Sequence, residues 1–168
     1  MAHYYFDTSA LVKYYIVETG TQWVRTLIDD RNGKQWNNVI STSSLTGAET
    51  ISAFSRHRRS KLISHSLYEH LVARFLRDGQ SRYARLSVND VTINLPVELI
   101  QRHPLRAYDA VQMASALRLD QVMQENDLPS PTFVSADELL CQAADAEGIA
   151  TVNPNLDRPE SKVNHGLY

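Results

Sequence analysis

The sequence predicts an α/β fold, a mostly parallel central sheet flanked by helices. Two observations carry this. Strand-type segments alternate with helix-period segments along most of the chain, the pattern of successive βαβ units. One local arrangement also occurs twice: an aromatic strand, a hydroxyl residue and an Asp leading into a helix, around Tyr4–Lys13 and again around Thr132–Glu147. In open parallel sheets, ligands bind at the C-terminal ends of the strands. Asp7 and Asp137 are therefore placed at one edge.

Composition narrows the class. The chain of 168 residues is 43% hydrophobic and 21% charged, with a net charge of -2. That is enough apolar material for one domain with a real core, over 1–154, with a polar aperiodic tail at 155–168. A chain so near neutrality is not a polycation, so any nucleic-acid surface is a local patch. Cys141 is the only cysteine, which excludes an intramolecular disulfide and fits a reducing compartment. No basic-then-apolar leader precedes the first strand, and no apolar run approaches the roughly 20 residues of a membrane span. A cytoplasmic protein is the expectation.

The elements follow in order. Tyr4, Tyr5 and Phe6 are strand formers. Asp7 ends the run, and Thr8 or Ser9 is of the type that caps the helix continuing through Ala10–Lys13. An isolated Asp here serves equally well as a turn cap. Trp23, Val24, Leu27 and Ile28 have helical spacing from Thr21, and Asp29–Gly33 stops it. Trp36–Thr42 reads as a second strand. Ser41–Ser44 is a polar run suited to cap a helix over Thr46–Ser60, with Ala48, Ile51 and Phe54 facing inward. Glu49 lies in its first turn, where the helix dipole favours a carboxylate. Glu49, Ser52, Ala53 and Arg56 share one face. The helix ends in the densest basic cluster of the chain, Arg56-His57-Arg58-Arg59-Ser60-Lys61, which suits a helix C-terminus and also suits phosphate.

Ser64 or Ser66 caps a further helix through Leu67, Leu71, Phe75 and Leu76 to Gly79. Leu86–Ile93 reads as strand or loop, and Leu95–His103 as a short helix before Pro104. Leu105–Leu119 is the clearest helix, with Ala110, Ala114, Ser115 and Ala116 small enough to lie against a sheet. Asp109 sits in its first turn and shares a face with Gln112, Met113 and Ala116. Thr132–Ser135 is a short strand, and Glu138–Glu147 a helix closed by Gly148. Ile149–Val152 is a last strand. Cys141 reads as packing. The six His residues show no zinc spacing, and no Gly-rich phosphate loop is present.

Asp7 and Asp137 at strand ends, and Glu49 and Asp109 near helix starts, would all face the same sheet edge. Four carboxylates at close range raise one another's pKa and destabilise the fold. A hard, oxygen-preferring cation resolves that conflict and, at a phosphodiester, activates water and stabilises charge.

At these positions the chain resembles PIN-domain proteins, and among them the toxin ribonucleases of bacterial VapBC toxin–antitoxin pairs. The matching motifs are Phe6-Asp7-Thr8-Ser9-Ala10-Leu11-Val12-Lys13, Ser44-Leu45-Thr46-Gly47-Ala48-Glu49, Tyr108-Asp109-Ala110-Val111-Gln112-Met113-Ala114-Ser115-Ala116, and Phe133-Val134-Ser135-Ala136-Asp137 followed by Gly148-Ile149 to Asn153-Pro154. Ser135 stands where the family usually has Thr. The resemblance implies a three-layer, Rossmann-like PIN nuclease domain over 1–154. It implies Mg²⁺- or Mn²⁺-dependent hydrolysis of RNA, with Asp7, Glu49, Asp109 and Asp137 binding metal and positioning water, and Thr8 and Ser135 orienting those carboxylates. It further implies a homodimer held by a small antitoxin. Arg56, Arg58, Arg59 and Lys61 are the expected phosphate contacts.

Two alternatives keep the fold: a silent PIN-like module that binds RNA or protein, and an RNA-processing nuclease without an antitoxin. A haloacid-dehalogenase-type phosphatase also begins strand–Asp, but it needs a second acid where Ser9 stands.

Overall fold

A computed structural model describes residues 1–88 and 90–156 of the chain. Its centre is a five-stranded sheet built from β1 (Ala2–Phe6), β4 (Asn38–Ser43), β5 (Tyr83–Leu86), β6 (Thr132–Val134) and β7 (Thr151–Val152), in the order β5-β4-β1-β6-β7. Every pairing in it is parallel. The alternating pleat sends Phe6 and Val134 to one face and Tyr5 and Phe133 to the other. Helices α1 (Thr8–Tyr15), α2 (Thr21–Ile28), α3 (Thr46–Arg59) and α4 (His65–Ser81) supply residues to the first core. Helices α5 (Asp90–Arg102), α6 (Ala107–Glu125) and α7 (Glu138–Ala146) supply the second. This is the expected α/β architecture.

The two cores differ in how they are filled. The first is an aromatic web: Tyr15 packs edge-on against Tyr14, Phe54 and Phe75, while its hydroxyl meets that of Tyr83 at 2.7 Å. The second relies on small residues. Ala110, Ala114 and Ala116 let α6 approach the sheet closely, as expected, with fully buried Met113, Leu99 and Leu140 filling the remainder.

Several boundaries shift for local reasons. Gln35–Trp36 (β3) does not belong to the strand expected from Trp36; it pairs antiparallel with Arg31–Asn32 (β2) about Gly33, and Trp36 is covered by the Arg82 guanidinium. The polar run Ser41–Ser43 continues β4 and is buried. Of it, only the Ser43 hydroxyl turns toward α3, accepting from the Leu45 amide at 3.2 Å. Ala48 is exposed; Thr46, Thr50, Ala53 and Phe54 are the buried residues of α3. Leu86 ends β5, and the helix expected from Leu95 starts earlier and contains Pro96. α6 runs on to Glu125, beyond the last run of small residues, because Met123 still reaches the core. Of the tail expected over 155–168, residues 157–168 lie outside the described residues. Among the described residues no helix is long and apolar enough to cross a membrane.

One contact ties the end of the described chain to its beginning. Gly20, in the α1–α2 loop, has φ of +86°, and a Cβ there would stand 2.5 Å from the Pro154 carbonyl oxygen. Only glycine permits both the backbone conformation and the approach.

Candidate active site at the sheet's switch point

The chain builds β1, then β4 and β5 to one side, and returns to place β6 and β7 on the other. The winding reverses between β1 and β6, and at such a reversal two neighbouring loops part to leave a crevice. Asp7 follows β1 and Asp137 lies just beyond β6. The cleft that opens here, about 790 Å³, is lined by all four acids: Asp7, Glu49, Asp109 and Asp137. Glu18 adds a fifth acid to this lining, paired there with Lys13. Glu49 reaches the cleft from the first turn of α3, and Asp109 from the first turn of α6.

Three of these carboxylates have hydrogen bonds that commit particular oxygens to the protein. Asp7 is the N-cap of α1, the role expected of Thr8 or Ser9. Its Oδ1 accepts from the Ala10 amide at 2.9 Å, and the Ser9 hydroxyl donates to the same carboxylate. On Glu49, Oε2 accepts from the Thr8 hydroxyl at 2.6 Å and from the Gln112 amide. Asp137 caps α7, its Oδ1 accepting from the Leu140 amide at 3.1 Å. Asp7 and Asp137 are thus caps and cleft residues at once. For Glu49 and Asp137, the side-chain bonds among described residues leave Oε1 and Oδ2 to the cleft.

Hydroxyls knit the two strand ends together. Ser9 Oγ accepts from the Ala136 amide at 2.8 Å and lies 3.4 Å from Ser135 Oγ, which accepts from the Asp137 amide. Fully buried Ser135 therefore shapes the turn that presents Asp137. The Thr8–Glu49 contact has the geometry expected of an orienting hydroxyl.

The electrostatics register burial at Asp7 and like-charge crowding at Asp109. Burial lifts the Asp7 carboxyl from 3.8 to about 6, against the opposing hydrogen bonds of Ala10, Ser9 and Ser135. Asp109 is also raised, first by burial and then by repulsion from Asp137. Arg106 offsets part of this, and Glu49 adds to it. Cys141 is a buried thiol pushed up to about 12, chiefly by burial and next by Asp7, which leaves it the inert packing residue expected.

The donor set fits a hard divalent cation, because the cleft offers carboxylate and hydroxyl oxygens and no thiolate. Among the described residues, no group of three or more His, Cys, Asp or Glu side chains is placed to hold an ion. The arrangement suits an ion that keeps several waters and takes one or two carboxylates, as Mg²⁺ does; it does not suit a complete protein cage.

The basic cluster splits. Arg56 and His57 line the cleft. The Arg58 guanidinium stacks on Tyr68 of α4 at 4.6 Å, and Arg59 and Lys61 are exposed outside the cleft lining. Successive residues of a helix point some 100° apart, so a run of cations cannot face one groove. Sequence reasoning passed over Glu18 and four further polar cleft residues. Lys13 is buried, with Nζ donating to Glu18 and to the Thr19 carbonyl at 3.0 Å each; the other three are Ser9, Gln112 and Arg106. Gln112 did carry a signal, a long polar side chain one turn from Asp109 on a helix of small apolar residues.

No family model and no curated protein sequence matches the chain; the likeness is structural. VapC20 of Mycobacterium tuberculosis, a toxin that cleaves the sarcin–ricin loop, superposes over 89% of this chain and 98% of its own with a TM-score of 0.56 at 18% identity. The fold is that of a VapC-type PIN domain. VapBC2 of Rickettsia felis, solved bound to a DNA fragment from its promoter, matches 90% of this chain and 98% of its own, with a TM-score of 0.54 and 16% identity. A toxin–antitoxin complex from Klebsiella pneumoniae matches 90% and 97%, at 0.52 and 18%. Spanning almost the whole of these chains, the protein carries the PIN core without a missing layer.

Proposed function

We propose that this protein is a metal-dependent endoribonuclease, the toxin of a type II toxin–antitoxin pair. The observation that carries the reading is the convergence of Asp7, Glu49, Asp109 and Asp137 in one cleft at the switch point of a VapC-type fold. Like charges gathered in one cleft repel and cost stability, which is a poor structural solution and a good one for holding a cation beside a phosphodiester.

One or two of the carboxylates Asp7, Glu49, Asp109 and Asp137 would hold each Mg²⁺ or Mn²⁺, with water in its remaining positions. When bound, the ion supplies a lowered water pKa and neutralisation of charge developing on the phosphoryl oxygens. The chain's own groups do the rest. Thr8 and Gln112 fix Glu49, Ser9 and Ser135 fix the Asp7–Asp137 floor, and Arg56 and Arg106 on opposite walls offer cations to flanking phosphates. Hydrolysis in line would leave a 5′-phosphate and a 3′-hydroxyl. The antitoxin partner is part of the same proposal, supported by the toxin–antitoxin assemblies among the structural neighbours; the homodimer and the cytoplasmic setting are proposed with it.

Purified protein is expected to cleave single-stranded RNA with Mg²⁺ or Mn²⁺ and to be silent in EDTA. A metal-loaded protein that leaves RNA intact at micromolar concentration makes it a binding module instead. Expression alone is expected to slow bacterial growth, with Asp109→Asn relieving the effect. Equal growth of wild type and empty vector, at verified protein levels, removes the toxin role and leaves the nuclease.

A further inference from the structure

Gln112 is 3% exposed, on the second turn of α6. A side-chain amide so buried is tolerated only when its polar atoms are matched, and here the matching runs in one direction. The Tyr5 hydroxyl donates to Gln112 Oε1 at 2.8 Å. Burial holds that phenol far above its ordinary range, so it remains a donor. Nε2 is thereby turned toward Glu49, whose carboxylate can only accept. The Thr8 hydroxyl donates to the same oxygen and itself accepts from Nε2 at 3.2 Å, while Thr46 takes a further Nε2 contact at 3.1 Å. Both Thr8 and Gln112 thus grip Oε2 of Glu49, and no hydrogen bond among the described residues reaches Oε1.

The geometry points to Gln112 as a positioning residue whose amide holds Oε2 of Glu49 inside the protein and leaves Oε1 alone for the cleft. The inference rests on the nuclease reading and adds to it the group that orients one of its carboxylates. Glu49 carries three rotatable bonds, and without the amide the Thr8 hydroxyl alone holds Oε2. A Leu or Met at 112 fills the volume and leaves Glu49 with one anchor in place of two. A Glu there sets a second carboxylate against the first.

Gln112→Met and Thr46→Val separate positioning from simple filling. Both remove a hydrogen bond from the same buried network, but only the first releases Glu49. For Gln112→Met, kcat on a single-stranded RNA oligonucleotide is expected to fall about 10–100-fold, the usual cost of losing a group that orients a metal ligand. KM should stay within about twofold, as expected when ground-state binding is untouched. Calorimetry with Mn²⁺ alone should show an affinity loss in the same 10–100-fold range. Thr46→Val is expected to lower the melting temperature and keep both kcat and Mn²⁺ affinity near wild type. Should Gln112→Met not fold, Gln112→Asn, an amide one methylene too short to reach Glu49, is read in the same way.

Equal losses in the two variants, or an unchanged Gln112→Met, overturn the inference, as does a wild-type protein that takes up no Mn²⁺. A wild type that binds Mn²⁺ but leaves RNA uncut defeats the nuclease reading alone, and the Mn²⁺ affinities then decide the role of Gln112.

Discussion

Asp7→Asn is expected to melt about 6–12 °C above the wild-type protein at pH 7 in EDTA, and to lose RNA cleavage in Mn²⁺. Burial holds the Asp7 carboxyl at about 6 instead of 3.8, so the folded state grips this proton more tightly than the unfolded chain. Stability therefore falls as pH rises from about 4 to about 6 and is lower by about 3 kcal/mol above that window. At 2–4 °C per kcal/mol for a chain of this size, that is the stated shift. Asparagine keeps the cap, because its carbonyl oxygen accepts from the Ala10 amide as the carboxylate does, and it sheds the buried charge. Below pH 4 the two proteins should melt together. Added Mn²⁺ should then raise the wild-type midpoint by binding the folded state and do little for the variant. A variant that melts lower than wild type at pH 7 makes the Asp7 charge a stabilising one and contradicts the buried-charge account.

Gly20→Ala is expected to lower the melting temperature by roughly 4–20 °C. An alanine at φ near +86° is strained by about 1–2 kcal/mol. Its Cβ would meet backbone, the Pro154 carbonyl, at 2.5 Å; since backbone cannot rotate away, the chain must move, at a further 1–3 kcal/mol. The loop that moves carries Glu18 and Thr19, which hold Lys13 beside the cleft. Gly33→Ala is the control. Its φ is +62° with nothing within 4 Å of the added carbon, so it suffers strain alone. Equal melting losses at the two positions show that the Pro154 approach yields easily.

The features legible in the sequence were those set by local pattern. The strand–Asp–helix repeat gave the sheet edge and two acids, and the small-residue face of α6 gave its packing. What stayed hidden depends on partners distant in sequence. Gln112 meets Tyr5 and Glu49, which are 107 and 63 residues away, and no periodicity within α6 announces either. The capping role of Asp7 was one of the readings left open, because Thr8 and Ser9 are equally good cap types, and which residue has the extended backbone of an N-cap is decided by where β1 stops. Arg58, Arg59 and Lys61 read as one basic patch with Arg56 because sequence adjacency ignores the turn of the helix that disperses them.

The central position of β1 also bears on how the molecule is born. β1 emerges from the ribosome before the rest of the sheet, yet its partner β6 and the acid Asp137 are made some 130 residues later. Domains fold as synthesis proceeds from the N-terminus, so β1 can pair with β4 early and must wait with its other edge bare. A bare strand edge invites pairing with other chains, which makes the half-made protein the vulnerable one. The same delay has a benign side: a nascent chain that has not yet reached Asp137 lacks a wall of its own cleft, and any chemistry the four acids perform begins only once the last of them has been made.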